Sequence, residues 1–195
     1  RFMYSNRVQW YPQGPFTDYA TAEMRLTVPS EYQVVATGSL LRASTAVNQD
    51  PGRSGSKLMR IAEYATDRPV RYLACIISRF VPLGRTVVEM PPPAGSATVM
   101  APVNLEVAVP SRMPGRHRQT PERVASMLRF FARTIGEAPY PDFTLAALDD
   151  NLPGGHSPAY FAAFNQPLPT TPYSWASDPV AFDQEYPHFF LAHEV

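Results

Sequence analysis

A β-rich part over residues 1–110, read as an antiparallel sandwich or saddle, followed by a mixed α/β part over 111–195, is what this sequence predicts. Three observations point there. Short runs before Pro110 alternate apolar with polar residues at period 2. From residue 120 the apolar spacing becomes helical. The 22 prolines, about twice ordinary usage, punctuate these runs and gather only in "PPPAG" at 91–95.

In "YATAEMRLTV" (19–28) Ala20, Ala22, Met24, Leu26 and Val28 share one face, and Thr21, Glu23, Arg25 and Thr27 the other. That is a half-buried strand. "EYQVVATG" (31–38), "KLMRIAEY" (57–64), "VRYLACIIS" (70–78) and "RTVVEM" (85–90) read as further strands between Pro, Gly or Asp residues, and "QDPGRSGSK" (49–57) as a hairpin tip or loop. "VNLEVAV" (103–109) repeats the alternation with Val103, Leu105, Val107 and Val109 on one face. Next comes a basic connector, "SRMPGRHRQ" (111–119), whose His117 is expected in solvent. "TPERVASMLRFFARTIG" (120–136) then predicts a helix. Thr120 is its expected N-cap, Pro121 its first helical residue, and Gly136 its stop. Val124, Met127, Leu128, Phe131 and Ile135 fall at helical spacing. "FTLAALDD" (143–150) reads as a strand, and a last helix is expected from about Tyr186–Pro187 into the closing "FFLAHEV".

Composition narrows the function classes. A chain of 195 residues that is 45% apolar can bury a core, and no internal repeat divides it. Seventeen basic residues balance seventeen acidic ones, which gives no electrostatic ground for a nucleic-acid or acidic-membrane partner. Its aromatics do not interleave with basic residues as a nucleic-acid surface requires. The single cysteine, Cys75, lies in the apolar run "YLACIIS" and reads as a small buried residue. No apolar stretch approaches the ~20 residues that span a bilayer. "RFMYSNRVQWYP" at the start has neither the basic opening nor the apolar middle of a signal peptide.

Chemistry could reside in a few places. His193-Glu194 on the last helix is either the first half of H-E-x-x-H or a solvated polar pair. In the motif two histidines one helical turn apart hold zinc, and the glutamate takes the proton of the activated water. "LPGGHSPAYF" (152–161) is either a tight turn or an edge strand. Gly154-Gly155 would let another backbone lie close, as a strand receiving a peptide requires. His156 and Ser157 offer a polar contact or a nucleophile–base pair, although no G-x-S-x-G elbow is present. Asp149-Asp150 is a carboxylate pair or a solvated strand end. His188 lies near the final helix.

Five segments in one order resemble the M1 family of zinc aminopeptidases. They are "VQWYPQGPFTDYATAEMRLTVPSEYQVVATGSL", "ATDRPVRYLACIISRFVP", "MLRFFARTIGEAPYPDFTLAAL", "LPGGHSPAYFAAFNQPLP" and "FFLAHEV". The resemblance covers nearly the whole chain. It implies that residues 1–110 are part of the family's N-terminal β domain and that 111–195 begin a thermolysin-like catalytic domain. It implies zinc as cofactor and a peptide as substrate, with His193 the first metal ligand and Glu194 the general base. Gly154 matches the first position of the family's G-x-M-E-N motif, and Gly155 and His156 the next two. Ser157 stands where the family has glutamate and Pro158 where it has asparagine. That glutamate binds the substrate's free α-amino group in the family, and a neutral serine cannot offer the same charge. Ending at Val195, inside H-E-x-x-H, the chain reads as an internal fragment that is itself expected to be inactive. The alternative is a non-catalytic scaffold or peptide-binding protein with the same architecture.

Overall fold

The alternating runs at the start of the chain pair as two three-stranded antiparallel sheets. The computed structural model describes residues 2–14, 18–48, 56–112, 114–138, 140–148, 155–165 and 189–195. These fall into two compact units, Arg1–Phe80 with Pro158–Tyr160, and Val81–Ser157 with Phe161–Val195.

The first unit contains β1 (Phe2–Tyr4), β2 (Glu23–Pro29), β3 (Gln33–Ala36), β4 (Ser39–Asn48), β5 (Lys57–Ala65) and β6 (Cys75–Ser78). Their sheet orders are β1-β6-β3 and β2-β5-β4. Both sheets contribute to one apolar cluster: Val28, Ala62 and Tyr64 from one, Val34, Ala36 and Cys75 from the other. Met24 and Leu26 pack against it, so the inward face of β2 is the one its alternation predicted. Tyr64 satisfies its hydroxyl by donating to the Val34 carbonyl at 2.7 Å. Cys75 is buried as expected, and the cost of ionising a thiol there pushes its pKa up to about 11. Strand β4 carried no clear sequence signal. Its adjacent leucines break the alternation, and a bulge between Leu40 and Arg42 absorbs the extra residue.

Tyr160 adopts the left-handed backbone region at φ 73°, uncommon for an aromatic residue. Its buried hydroxyl accepts from the Asp67 backbone N–H at 2.9 Å and donates to the Asp67 carboxylate. Burial first, and the Asp67 carboxylate second, push the phenol up to about 12 from 10.0. A raised folded pKa means that the phenol's contribution is whole below pH 10.0 and is lost as pH climbs through about 12. Tyr160→Phe is therefore expected to cost about 1–3 kcal/mol at neutral pH and to flatten the alkaline limb of stability, both measurable by urea unfolding across pH.

The second unit is built on a mixed sheet. Its elements are β7 (Phe80–Val88), β8 (Val103–Pro110), a 3-10 turn (Pro114–His117), α1 (Thr120–Ile135), β9 (Asp142–Leu148), β10 (Gly155–His156), β11 (Phe161–Asn165) and α2 (Phe189–Glu194). The sheet order is β10-β11-β9-β8-β7. Strands β8, β9 and β11 run parallel, and β10 is antiparallel at the edge. With α1 between them, β8 and β9 make the parallel crossover that a helix permits. Val103, Leu105, Val107 and Val109 enter the core with Leu145, Phe164, Val124 and Leu191.

Two local expectations at α1 change. Gln119 is the N-cap, with helical φ/ψ and no side-chain cap bond, so Thr120 is the first helical residue and Pro121 sits one position further in. Ile135 is 68% exposed because the helix's buried stretch ends at Ala132. Gly136 does stop the helix, at φ 96° with its N–H on the Ala132 carbonyl. His117 is corrected as well. It is 2% exposed and lies edge-on to Phe164 at 6.4 Å, because the 3-10 turn after β8 brings it into the unit's interior despite basic sequence neighbours. Among the described residues no helix is long and apolar enough to cross a membrane.

Candidate active site

Among the described residues β10 is the last strand of its sheet, paired to β11 through Gly155 with Phe164 and His156 with Ala163. Helix α2 packs beside β11 and α1 and buries Leu191 completely enough to leave 1% exposed. The same last turn of α2 presents His193 to solvent and buries Glu194 to 7% exposure.

Glu194 lies against the edge strand. A Cβ placed on Gly155 would lie 2.1 Å from both Cδ and Oε1 of Glu194, so any side chain there obliges the end of that glutamate to move. The Ser157 hydroxyl lies 2.5 Å from Glu194 Oε2 and 2.8 Å from the Glu194 carbonyl oxygen. A hydroxyl has one proton and donates to one of these oxygens at a time. Burial raises the Glu194 carboxyl above its ordinary value, while the Ser157 hydrogen bond and the His193 charge pull it partly back. A buried carboxyl with raised proton affinity, next in sequence to an exposed imidazole, is suited to general acid–base work.

The structure thus brings Gly155, Ser157 and Glu194 together and sets His193 beside them in sequence. His156 is half-buried on β10 and does not pair with Ser157 as a nucleophile–base couple, since that hydroxyl is turned to Glu194. Pro158 is buried and belongs to the first unit. Gly154, Asp149, Asp150 and His188 lie outside the described residues. What the sequence did not reveal is the contact between Ser157 and Glu194, 37 positions apart. The one local hint was the glycine that the contact needs.

Zinc can be tested against these residues. His193 supplies one imidazole, but among the described residues no three His, Cys, Asp or Glu side chains are placed to hold a metal ion. A zinc site of three protein ligands is therefore not completed by the described residues.

No protein-family model matches the chain, and no curated protein does either. Solved structures do match. The aminopeptidase A of Legionella pneumophila, solved with aspartic acid, is 16% identical with a TM-score of 0.54, covering 75% of this chain and 16% of its own. An M1 zinc metallopeptidase from Deinococcus radiodurans is 17% identical with a TM-score of 0.55, covering 76% of this chain and 31% of its own. A two-domain M1 zinc metallopeptidase bound to L-arginine gives 17% identity and a TM-score of 0.54, with the same coverages. The chain spans less than a third of the length of each. What is shared at this identity is the fold: three quarters of this chain has the architecture of part of an M1 metallopeptidase.

Proposed function

We propose that this chain is part of an M1-like zinc metallopeptidase that hydrolyses peptide bonds, with Glu194 as general base and His193 as one metal ligand. The observation that carries the reading is the buried Glu194 carboxyl held against the edge strand at Gly155 and Ser157, one residue from an exposed imidazole. An edge strand accepts an extended peptide through backbone hydrogen bonds, which aligns a substrate alongside Glu194. Glu194 takes a proton from the water whose oxygen bonds to the scissile carbonyl carbon. The same proton goes to the departing amine nitrogen as the C–N bond breaks. Zinc would supply Lewis acidity at that carbonyl, with the remaining ligands coming from outside the described residues. Ser157 in place of an acidic residue leaves the strand without that anchor for a substrate ammonium group, so the parent's preference for free N-termini is weakened.

A non-catalytic scaffold or peptide-binding protein is the second reading, favoured by Ser157 and by the incomplete donor set among the described residues. Metal analysis of the intact protein that carries this chain separates the two. The expected result is one zinc per protein, lost with peptidase activity on His193→Ala. An intact protein that binds no zinc and cleaves no peptide would leave the scaffold.

A further inference from the structure

The geometry at Ser157 points to a division of labour between the two oxygens of Glu194. Oε2 faces the Ser157 hydroxyl at 2.5 Å, and the same hydroxyl lies 2.8 Å from the Glu194 carbonyl oxygen. Oε1 lies over Gly155 and takes no hydrogen bond from a described residue. The single Ser157 proton can thus go to the Glu194 head through Oε2 or to the backbone carbonyl that carries it, and the shorter distance is to Oε2. Gly155 leaves the space beneath open, since a Cβ there would approach the carboxyl to 2.1 Å.

We propose that Ser157 is a positioning residue for Glu194, fixing the carboxylate through Oε2 so that Oε1 is the oxygen that exchanges the proton with the attacking water. The proposal rests on the metallopeptidase reading and adds a role for the residue at which the resemblance breaks. A serine here cannot attract a substrate ammonium as a carboxylate would, but it can hold the base. Proton transfer is steep in geometry. A general base must sit within hydrogen-bond reach of the proton it removes, and displacement by about 1 Å can cost as much as 100-fold in rate.

Two measurements test it, one of them free of metal and activity. In the 195-residue chain labelled with carboxyl-carbon-13 glutamate, the Glu194 resonance is identified by its absence in Glu194→Gln. It is expected to move in Ser157→Ala and to stay near its parent position in Ser157→Thr, which keeps the hydroxyl. In the intact protein, assayed on a panel of internally quenched peptides, Ser157→Ala is expected to lower kcat on the order of 10- to 100-fold with KM and zinc content unchanged. Ser157→Thr should recover most of that loss. A Glu194 resonance that ignores Ser157→Ala overturns the proposal. So does an unchanged kcat in Ser157→Ala where Glu194→Gln abolishes turnover. If Glu194→Gln leaves peptidase activity whole, the metallopeptidase reading falls and Ser157's catalytic role falls with it. The carboxyl resonance then reports a purely structural contact.

Discussion

Glu194→Gln should make the 195-residue chain more stable at neutral pH and, on the metallopeptidase reading proposed above, abolish turnover in the intact protein. Both effects have one cause. The carboxyl is only 7% exposed, and ionising it in that position forfeits hydration that the Ser157 hydroxyl replaces only in part. Its folded pKa is accordingly raised from 4.5. A raised carboxyl pKa contributes stability that is whole below pH 4.5 and is lost as pH rises through the folded value. An uncharged amide of the same shape escapes that loss. The stability gain of the variant should therefore be near zero in acid and grow toward neutral pH, read by urea unfolding on both sides of the transition. A variant less stable than the parent at neutral pH would contradict the buried placement. If Glu194 is the general base of the proposed metallopeptidase, an amide there cannot accept the water's proton, and turnover of the intact protein should fall on the order of 100- to 10,000-fold. Stability gained where activity is lost is the signature of a residue retained for chemistry.

Gly155→Ala should destabilise the chain by about 1–3 kcal/mol or more, through overpacking against Glu194. Backbone preference argues the other way, since glycine weakens a strand interior. A loss of stability would therefore report the steric conflict and not propensity. The new methyl would lie 2.1 Å from the carboxyl, so the glutamate must leave its rotamer, or else the helix must shift or β10 detach from β11. Combining the substitution with Glu194→Ala removes the obstructing atoms. The double variant should recover much of the loss, a non-additivity expected only of residues in contact. Additive effects in denaturant titrations would place Glu194 elsewhere.

Much of the scaffold was legible because it follows from period. The alternation in 19–28 and 103–109 gave strands whose inward faces are the predicted ones, and the stop at Gly136 followed from its backbone freedom. Period could not say which sheet a strand joins. Strand β8 looks like its predecessors in sequence yet lies in the mixed sheet beside β9. The strand β11, "FAAFN", went unmarked because it is buried on both sides and so shows no alternation. At the site, His193, Glu194 and Gly155 were nominated by residue type and resemblance. That Glu194 meets Ser157 was not legible, since a contact across 37 positions belongs to tertiary packing. His117 misled for a related reason: its charged neighbours suggested water, whereas the turn that carries it decides burial.

The missing Cβ at position 155 also governs which neighbouring sequences this fold can reach. A side chain at 155 would crowd the present place of the Glu194 carboxyl, so growth at 155 calls for movement or shortening at 194. A related sequence that carries a side chain at 155 is expected either to hold the residue at 194 in another rotamer or to carry a shorter one there. Growth at 155 together with loss of the carboxyl at 194 would thus mark relatives that keep the fold without this buried acid.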